Sequence, residues 1–287
     1  MNPVNSEPYT LPSDATWLIT GCSSGIGKVL STLIASKPGH RLIATARNPT
    51  DLANLPDDDR GKNILKLPLD VTSAASVNDA FAAAEDHFGP GFHLDVVVNN
   101  AGYSLSGDIE SATEEETHRE LETLFFGTAR VTTRAVENMR QSADRRRGGV
   151  VFNVSSLAGQ CGFAGHAYYH AGKWAVEGWT ESVAREVHPQ WNKEAPPPSF
   201  ECVHPRPLID PRNSQLLHPG AERRQDKFRR AQQGSHRASS GMPGRVLEKY
   251  VEMVIKSGRL TEPSAIAEAI YGIASRGERV PLRVPLG

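Results

Sequence analysis

Cysteine is scarce in this chain, and its three residues, Cys22, Cys161 and Cys202, stand far apart. Their spacing excludes a disulfide framework and a zinc site, and a reducing, intracellular setting is the simplest reading. An excess of charge of either sign is also lacking. A net charge of -1 leaves no basic surplus to suggest nucleic acid as a partner. No apolar run approaches the roughly 18 residues that a membrane span requires. The opening residues 1–16 contain no apolar segment of the signal-peptide kind, so a cytoplasmic, soluble protein is expected. No internal repeat is apparent. What remains is an ordinary globular composition, 38% hydrophobic and 23% charged, over 287 residues. That length suits one large α/β domain or two small ones.

Residues 1–14 are polar with three prolines and read as a flexible leader. The apolar stretch Trp17–Thr20 then predicts a strand and runs directly into Gly21, Gly25 and Gly27. After the glycines, Ile26, Val29, Leu30, Leu33 and Ile34 recur at helical spacing and predict a helix with one buried face. Pro38 and Gly39 stop it, and Leu42–Thr45 is the next strand. Strand, glycine turn, helix and strand make a right-handed parallel βαβ unit. In that order the glycines fit a turn that brings backbone N–H groups to a pyrophosphate at a helix N-terminus. A plain strand-to-helix turn would use the same residues.

The alternation continues through strands at Ile64–Leu69, Asp95–Val98, Val150–Val154 and Phe200–Val203. Helices are expected at 73–88, from a capping box at Thr113–Glu116 to about Met139, and at 167–187. Strands that are continuous apolar runs between helices argue for a doubly wound parallel sheet of the Rossmann kind. Past residue 190 the regularity breaks, and 206–260 is the candidate for a substrate lid within a single domain spanning 15–287. Helical pieces are expected near 221–232, 245–256 and 263–274, and a last edge strand near 280–286. The basic residues between Arg223 and Arg230 fit a solvated face better than an anion site.

Chemistry concentrates at Tyr169 and Lys173, four residues apart and hence on one helical face. A nearby ammonium favours a phenolate, so the tyrosine is expected to exchange a proton near neutral pH. Ser156, at the end of the fifth strand, could polarise the same substrate oxygen. Taken alone, the spacing more often marks a partly buried tyrosine and a solvated lysine. His166 and His170 beside it read as a turn residue and an exposed helix residue. Cys22 lies in the glycine turn, where a helix N-terminus could lend it thiolate character.

Together, Thr20–Gly27, Asp70–Val71, Asn99–Gly102, the interval from Ser156 to Tyr169, and Tyr169 with Lys173 resemble the short-chain dehydrogenase/reductase family over residues 15–205. The texture is similar to fungal members near the 17β-hydroxysteroid and retinol dehydrogenase branch. The resemblance implies an oxidoreductase that moves hydride between NAD(P)(H) and a carbonyl or alcohol carbon of a small substrate. It makes Tyr169 the general acid/base, Lys173 its partner and the holder of the nicotinamide ribose, and Ser156 the group that orients the substrate oxygen. It assigns Gly21, Ser23, Ser24, Gly25, Ile26 and Gly27 to the pyrophosphate turn and Asp70 to the adenine. Asn99, Ala101 and Gly102 would flank the adenosine. No metal is implied. The family often forms dimers or tetramers, for which Val131, Val136, Val176 and Trp179 would suit a contact.

Cofactor choice has its own physical argument. An acidic residue ending the second strand would accept from a ribose 2′-OH and repel a 2′-phosphate. This chain has Arg47 there, so NADP(H) is favoured, unless Arg47 is only a surface charge. Three positions depart from the family pattern. Leu124 stands where relatives carry an asparagine that holds a proton-relay water. Arg206 replaces a glycine after the sixth strand, and Gly172 replaces a serine before Lys173. Two expectations follow: an NADPH-dependent ketoreductase for an apolar, secondary-metabolite-like substrate, or a family fold kept for non-redox or partner-binding work. Leu105, Leu157, Phe163 and Ala164 are the hints of an apolar ligand.

Overall fold

A computed structural model describes residues 8–57, 63–89, 92–141, 147–162, 164–187, 199–205, 262–279 and 283–286. The expected lid at 206–260, its two helical pieces, Arg206 and Phe163 lie outside the described residues.

Seven strands form one parallel sheet: β1 (Thr16–Ile19), β2 (Arg41–Ala46), β3 (Ile64–Pro68), β4 (Val96–Asn99), β5 (Val150–Val154), β6 (Ser199–Pro205) and β7 (Arg283–Leu286). Their spatial order is β3-β2-β1-β4-β5-β6-β7. The helices are α1 (Gly25–Ala35), α2 (Ala74–Phe88), α3 (Glu114–Leu121), α4 (Thr128–Gln141), α5 (Ala167–Glu186) and α6 (Pro263–Ser275).

Side-chain alternation along the strands divides the core between the two faces of the sheet. Trp17, Ile19, Val96, Val98, Val150 and Phe152 pack on one side with Leu30 and Ile34 of α1 and Ile266 and Ile270 of α6. Leu18, Val97 and Val151 point the other way, against Val77 and Phe81 of α2 and Val131 and Val136 of α4. Both faces are apolar because both are covered. The strand order reverses between β1 and β4, which opens a crevice at their carboxyl ends.

Three expectations change. Residues 8–14 are anchored, not a loose leader. Tyr9 is buried, its hydroxyl donates to the Asp95 carbonyl at 3.2 Å, and its N–H donates to the Glu278 carbonyl at 3.1 Å. Asp14 pairs with Arg147, which also grips the fully buried Asp95 with Nε to Oδ1 at 2.6 Å and Nη2 to Oδ2 at 3.0 Å. Val131, Val136 and Val176 are core residues, so they are not available to a second subunit. Finally, the long helix from Thr113 is not continuous. Its capping box forms as expected, but residues Glu122–Gly127 wind as a π-helical turn between α3 and α4. Such turns are often found at functional sites.

Candidate active site

The glycine turn follows β1 and is stitched to the turn after β4. Asn100 donates from Nδ2 to the carbonyls of Thr20 at 2.9 Å and Gly21 at 3.1 Å. The Thr20 hydroxyl accepts from the N–H groups of Asn100 and Ala101, each at 3.0 Å. These contacts leave no room for side chains. Gly21 has φ +71°, and a Cβ there would lie 2.9 Å from the Ala101 Cα. A Cβ on Gly27 would come within 2.4 Å of both the Gly21 carbonyl oxygen and Asn100 Nδ2. The glycines are thus dictated by close backbone approach.

Beyond this turn α1 begins without a side-chain cap on its N-terminus and without an acidic residue in its first turn. Its leading N–H groups and the positive end of its dipole therefore face the crevice unspent, as an anion requires. A cavity of about 860 Å³ extends from here. Gly21, Ser23, Ser24, Gly25, Ile26, Arg47, Asp70, Ala101 and Gly102 line it, as do Tyr103 and Leu105, and also Thr72, Arg119 and Thr123, which were not expected. The size and the mix of polar and backbone groups suit a dinucleotide. Arg47 is exposed at the wall and makes no ion pair among the described residues. Asp70 is turned partly inward, its Oδ1 accepting from the N–H and hydroxyl of Thr72 at 2.9 and 2.7 Å.

Asn99 is a correction. Its Nδ2 donates to Thr132 Oγ1 and Asn153 Oδ1, both at 2.8 Å, so its side chain ties β4 to β5 and α4 inside the core. Gly27 supports the turn from behind and does not line the cavity.

Ser156, Tyr169 and Lys173 come together where β5 ends and α5 begins. The Ser156 hydroxyl hydrogen-bonds the Tyr169 phenol. Lys173 Nζ lies 5.7 Å from the centre of the Tyr169 ring and donates to the Val154 carbonyl at 2.7 Å. Burial pushes Lys173 down to about 8, offset in part by Cys202, Glu177 and Glu120. Tyr169 differs from expectation: its phenol stands above the ordinary value. Burial is the main cause and the charge of Glu120 adds to it, while the Ser156 hydrogen bond opposes both. The phenol therefore holds its proton at neutral pH and is poised to donate.

These three residues do not line the large cavity. They are linked to it by the loop after β4, whose Leu105 lines the cavity and donates its N–H to Glu120 Oε1 at 2.6 Å. The same loop meets the start of α5 through His166, whose Nδ1 lies 3.2 Å from Ser104 Oγ and 3.1 Å from Ser106 Oγ. His170 is buried, not exposed, with Nδ1 2.8 Å from the Ala158 carbonyl. Burial pushes the Cys22 thiol up to about 12, which makes it inert.

The family profile described as short chain dehydrogenase matches residues 15–191. The chain belongs to the short chain dehydrogenase family. Oxidoreductase calM from Penicillium decumbens is 54% identical over 286 residues, which span 100% of this chain and 88% of that protein. The 3-ketodihydrosphingosine reductase of Bacteroides thetaiotaomicron is 38% identical over 172 residues, 60% of this chain and 58% of that protein. Among solved structures, a short-chain dehydrogenase from Streptomyces avermitilis superposes with a TM-score of 0.70 at 29% identity, covering 96% of this chain and 89% of its own. The protein is an oxidoreductase of this family with fungal relatives. Among the described residues no helix is long and apolar enough to cross a membrane.

Two features of this short chain dehydrogenase escaped sequence reasoning. Asn100 was passed over as one member of an Asn-Asn pair, although its stitch shapes the turn. Glu120 was not singled out, yet its side chain is fully buried. Helical spacing could have flagged it, since Glu120 lies one turn before buried Leu124 on the same face.

Proposed function

We propose that this protein is an NADP(H)-dependent reductase of a ketone carried on a small, apolar, secondary-metabolite-like framework. The observation that carries this reading is the Tyr169 phenol, hydrogen-bonded to Ser156 and lying under Lys173, next to a cleft shaped for a dinucleotide. The uncapped start of α1 would hold the pyrophosphate and Arg47 the 2′-phosphate. Bound there, a reduced nicotinamide would supply the hydride. Ser156 donates to the substrate oxygen and orients it. Tyr169 gives its proton to that oxygen as it becomes an alkoxide, so that carbon gains hydride and oxygen gains a proton. Lys173, already shifted toward neutral pH by burial, stabilises the phenolate left behind. The name of the Bacteroides relative, a reductase of a 3-keto compound, agrees with a ketone as the reducible group.

The test is calorimetric titration with NADPH and NADH, followed by a carbonyl screen on the wild type and Tyr169→Phe. Micromolar NADPH binding, weaker NADH binding and loss of turnover in Tyr169→Phe are expected. Full activity in Tyr169→Phe would refute the mechanism, and equal affinity for both nucleotides would refute the role of Arg47.

A further inference from the structure

Glu120 is a buried carboxyl that the proposed chemistry does not use. It sits on α3, which packs against α5 and the π-helical turn, and its side chain is completely shielded from solvent. One oxygen is accounted for: Oε1 accepts the Leu105 N–H at 2.6 Å. The other, Oε2, is buried without a hydrogen-bond partner. Anchoring the loop cannot be the whole reason for an acid here. A glutamine would offer Leu105 the same acceptor without the cost of enclosing a charge.

The groups that face Glu120 identify what the acid can act on. From α5 these are Lys173 and Tyr169, and from the loop after β4 Tyr103. On the same α5 face Glu177 acts on Lys173, while Glu122 of the π-helical turn is spent on Arg130. Glu116 and Arg119 of α3 itself act on Tyr103, as does Arg47 after β2. Leu124, one turn further along the same helix face, offers α5 neither donor nor acceptor.

We propose that Glu120 is a positioning residue for the Tyr169/Lys173 pair: a buried carboxyl whose ionisation sets how readily Tyr169 releases its proton. Its role in turnover rests on the reductase reading above; its coupling to the pair does not. When Glu120 is ionised its charge holds the Tyr169 proton in place and favours the Lys173 ammonium. When Glu120 takes up a proton, both effects are relieved. Burial pushes Glu120 up to about 7, opposed by the Leu105 hydrogen bond and Lys173, so the change of state falls in the neutral range. No oxidant or further reactant enters: Glu120 exchanges one proton with water, and the net charge of the three groups changes by one.

The experiment uses the full chain labelled with carboxyl-13C glutamate and followed by NMR from pH 4 to 9, beside ultraviolet titration of tyrosinate. Tyr169→Phe identifies the Tyr169 contribution, and Glu120→Gln identifies the Glu120 resonance. Glu120 is expected to titrate near neutrality. In Glu120→Gln the Tyr169 midpoint should fall by about one pH unit, as removal of a nearby like charge produces. Should Glu120→Gln not fold, Lys173→Met gives an independent reading, in which the Glu120 midpoint rises by a similar amount. An ordinary carboxylate midpoint for Glu120, or a Tyr169 midpoint unchanged in Glu120→Gln, overturns the proposal. NADPH calorimetry on the same samples separates the two ideas. Failure to bind nucleotide sinks the reductase reading, while a shifted Tyr169 midpoint still supports the coupling.

Discussion

Leu124 occupies the space that Gly172 leaves open. A Cβ on Gly172 would lie 3.0 Å from Leu124 Cδ1 and 3.1 Å from its Cβ, and a Cβ on Gly102 would lie 2.8 Å from Leu124 Cδ2. Two of the three departures from the family pattern are therefore one repacking event. The π-helical turn delivers a fully buried isobutyl group into the gap between α5 and the turn after β4. Leu124 fills by packing the place where an asparagine was expected, and Gly172 leaves room for it.

The pair can be tested by its coupling. Gly172→Ala gains about 1 kcal/mol of helix propensity but must push against Leu124, an overpacking that costs about 1–3 kcal/mol. A net loss of up to about 2 kcal/mol is expected in the wild-type background. In a Leu124→Ala background the 3.0 Å contact with Cδ1 is gone while the 3.1 Å contact with Cβ remains, so the cost of Gly172→Ala should shrink by about 1 kcal/mol. Urea denaturation of the four proteins measures this double-mutant cycle. An identical effect of Gly172→Ala in both backgrounds would show that the two residues do not interact.

Arg47 gives the second prediction. Exchanging it for alanine removes a charged partner for the 2′-phosphate, a bond worth about 1.5–3 kcal/mol. The NADPH dissociation constant should rise by about 10- to 100-fold, with NADH binding unchanged. Calorimetry with both nucleotides is the check. A parallel loss for NADH would mean that Arg47 shapes the cleft without reading the phosphate.

The third prediction concerns stability and pH. Glu120 is raised by burial from 4.5 to about 7, so the folded protein binds its proton more tightly than the unfolded chain does. Stability from this group is full below about pH 4.5 and falls as pH rises toward 7. After allowance for solvent screening the loss is about 2 kcal/mol. Denaturation midpoints of the wild type minus those of Glu120→Gln, taken from pH 5 to 8, should fall with rising pH. A flat difference would place Glu120 in an ordinary environment.

Sequence patterns carried the architecture well where the signal is local. The glycine turn, the apolar strands and the capping box at Thr113 depend on neighbours a few residues apart, and each forms as read. What escaped depends on distant packing. Tyr9 looked like part of a loose leader because its partner Asp95 is 86 residues away. Asn99 lies in a motif beside a cleft, yet the two-residue period of β4 turns its side chain inward. Glu120 is shielded by α5 and by the loop after β4, and only its helical spacing to buried Leu124 hints at that. The Tyr169 phenol was expected to lie low because Lys173 is four residues on, but burial raises it and outweighs the Ser156 hydrogen bond that opposes it.

The last prediction separates scaffold from site. Arg147 neutralises Asp95 at the edge of the sheet where β1, β4 and β5 begin, opposite the crevice. Asp95 is fully buried and also accepts the Thr16 N–H at 2.7 Å, so β1 and β4 are pinned through one carboxylate. Arg147→Ala leaves that charge enclosed without its cation, which costs about 3–5 kcal/mol. An Arg147→Ala, Asp95→Asn double variant removes the stranded charge and should recover part of the loss, which thermal denaturation can follow. Nucleotide affinity of whatever fraction remains folded should be unchanged, because no residue of the cleft touches the pair. A stability loss as large in the double variant as in Arg147→Ala would assign the cost to lost packing of the arginine stem, and not to the uncompensated carboxylate.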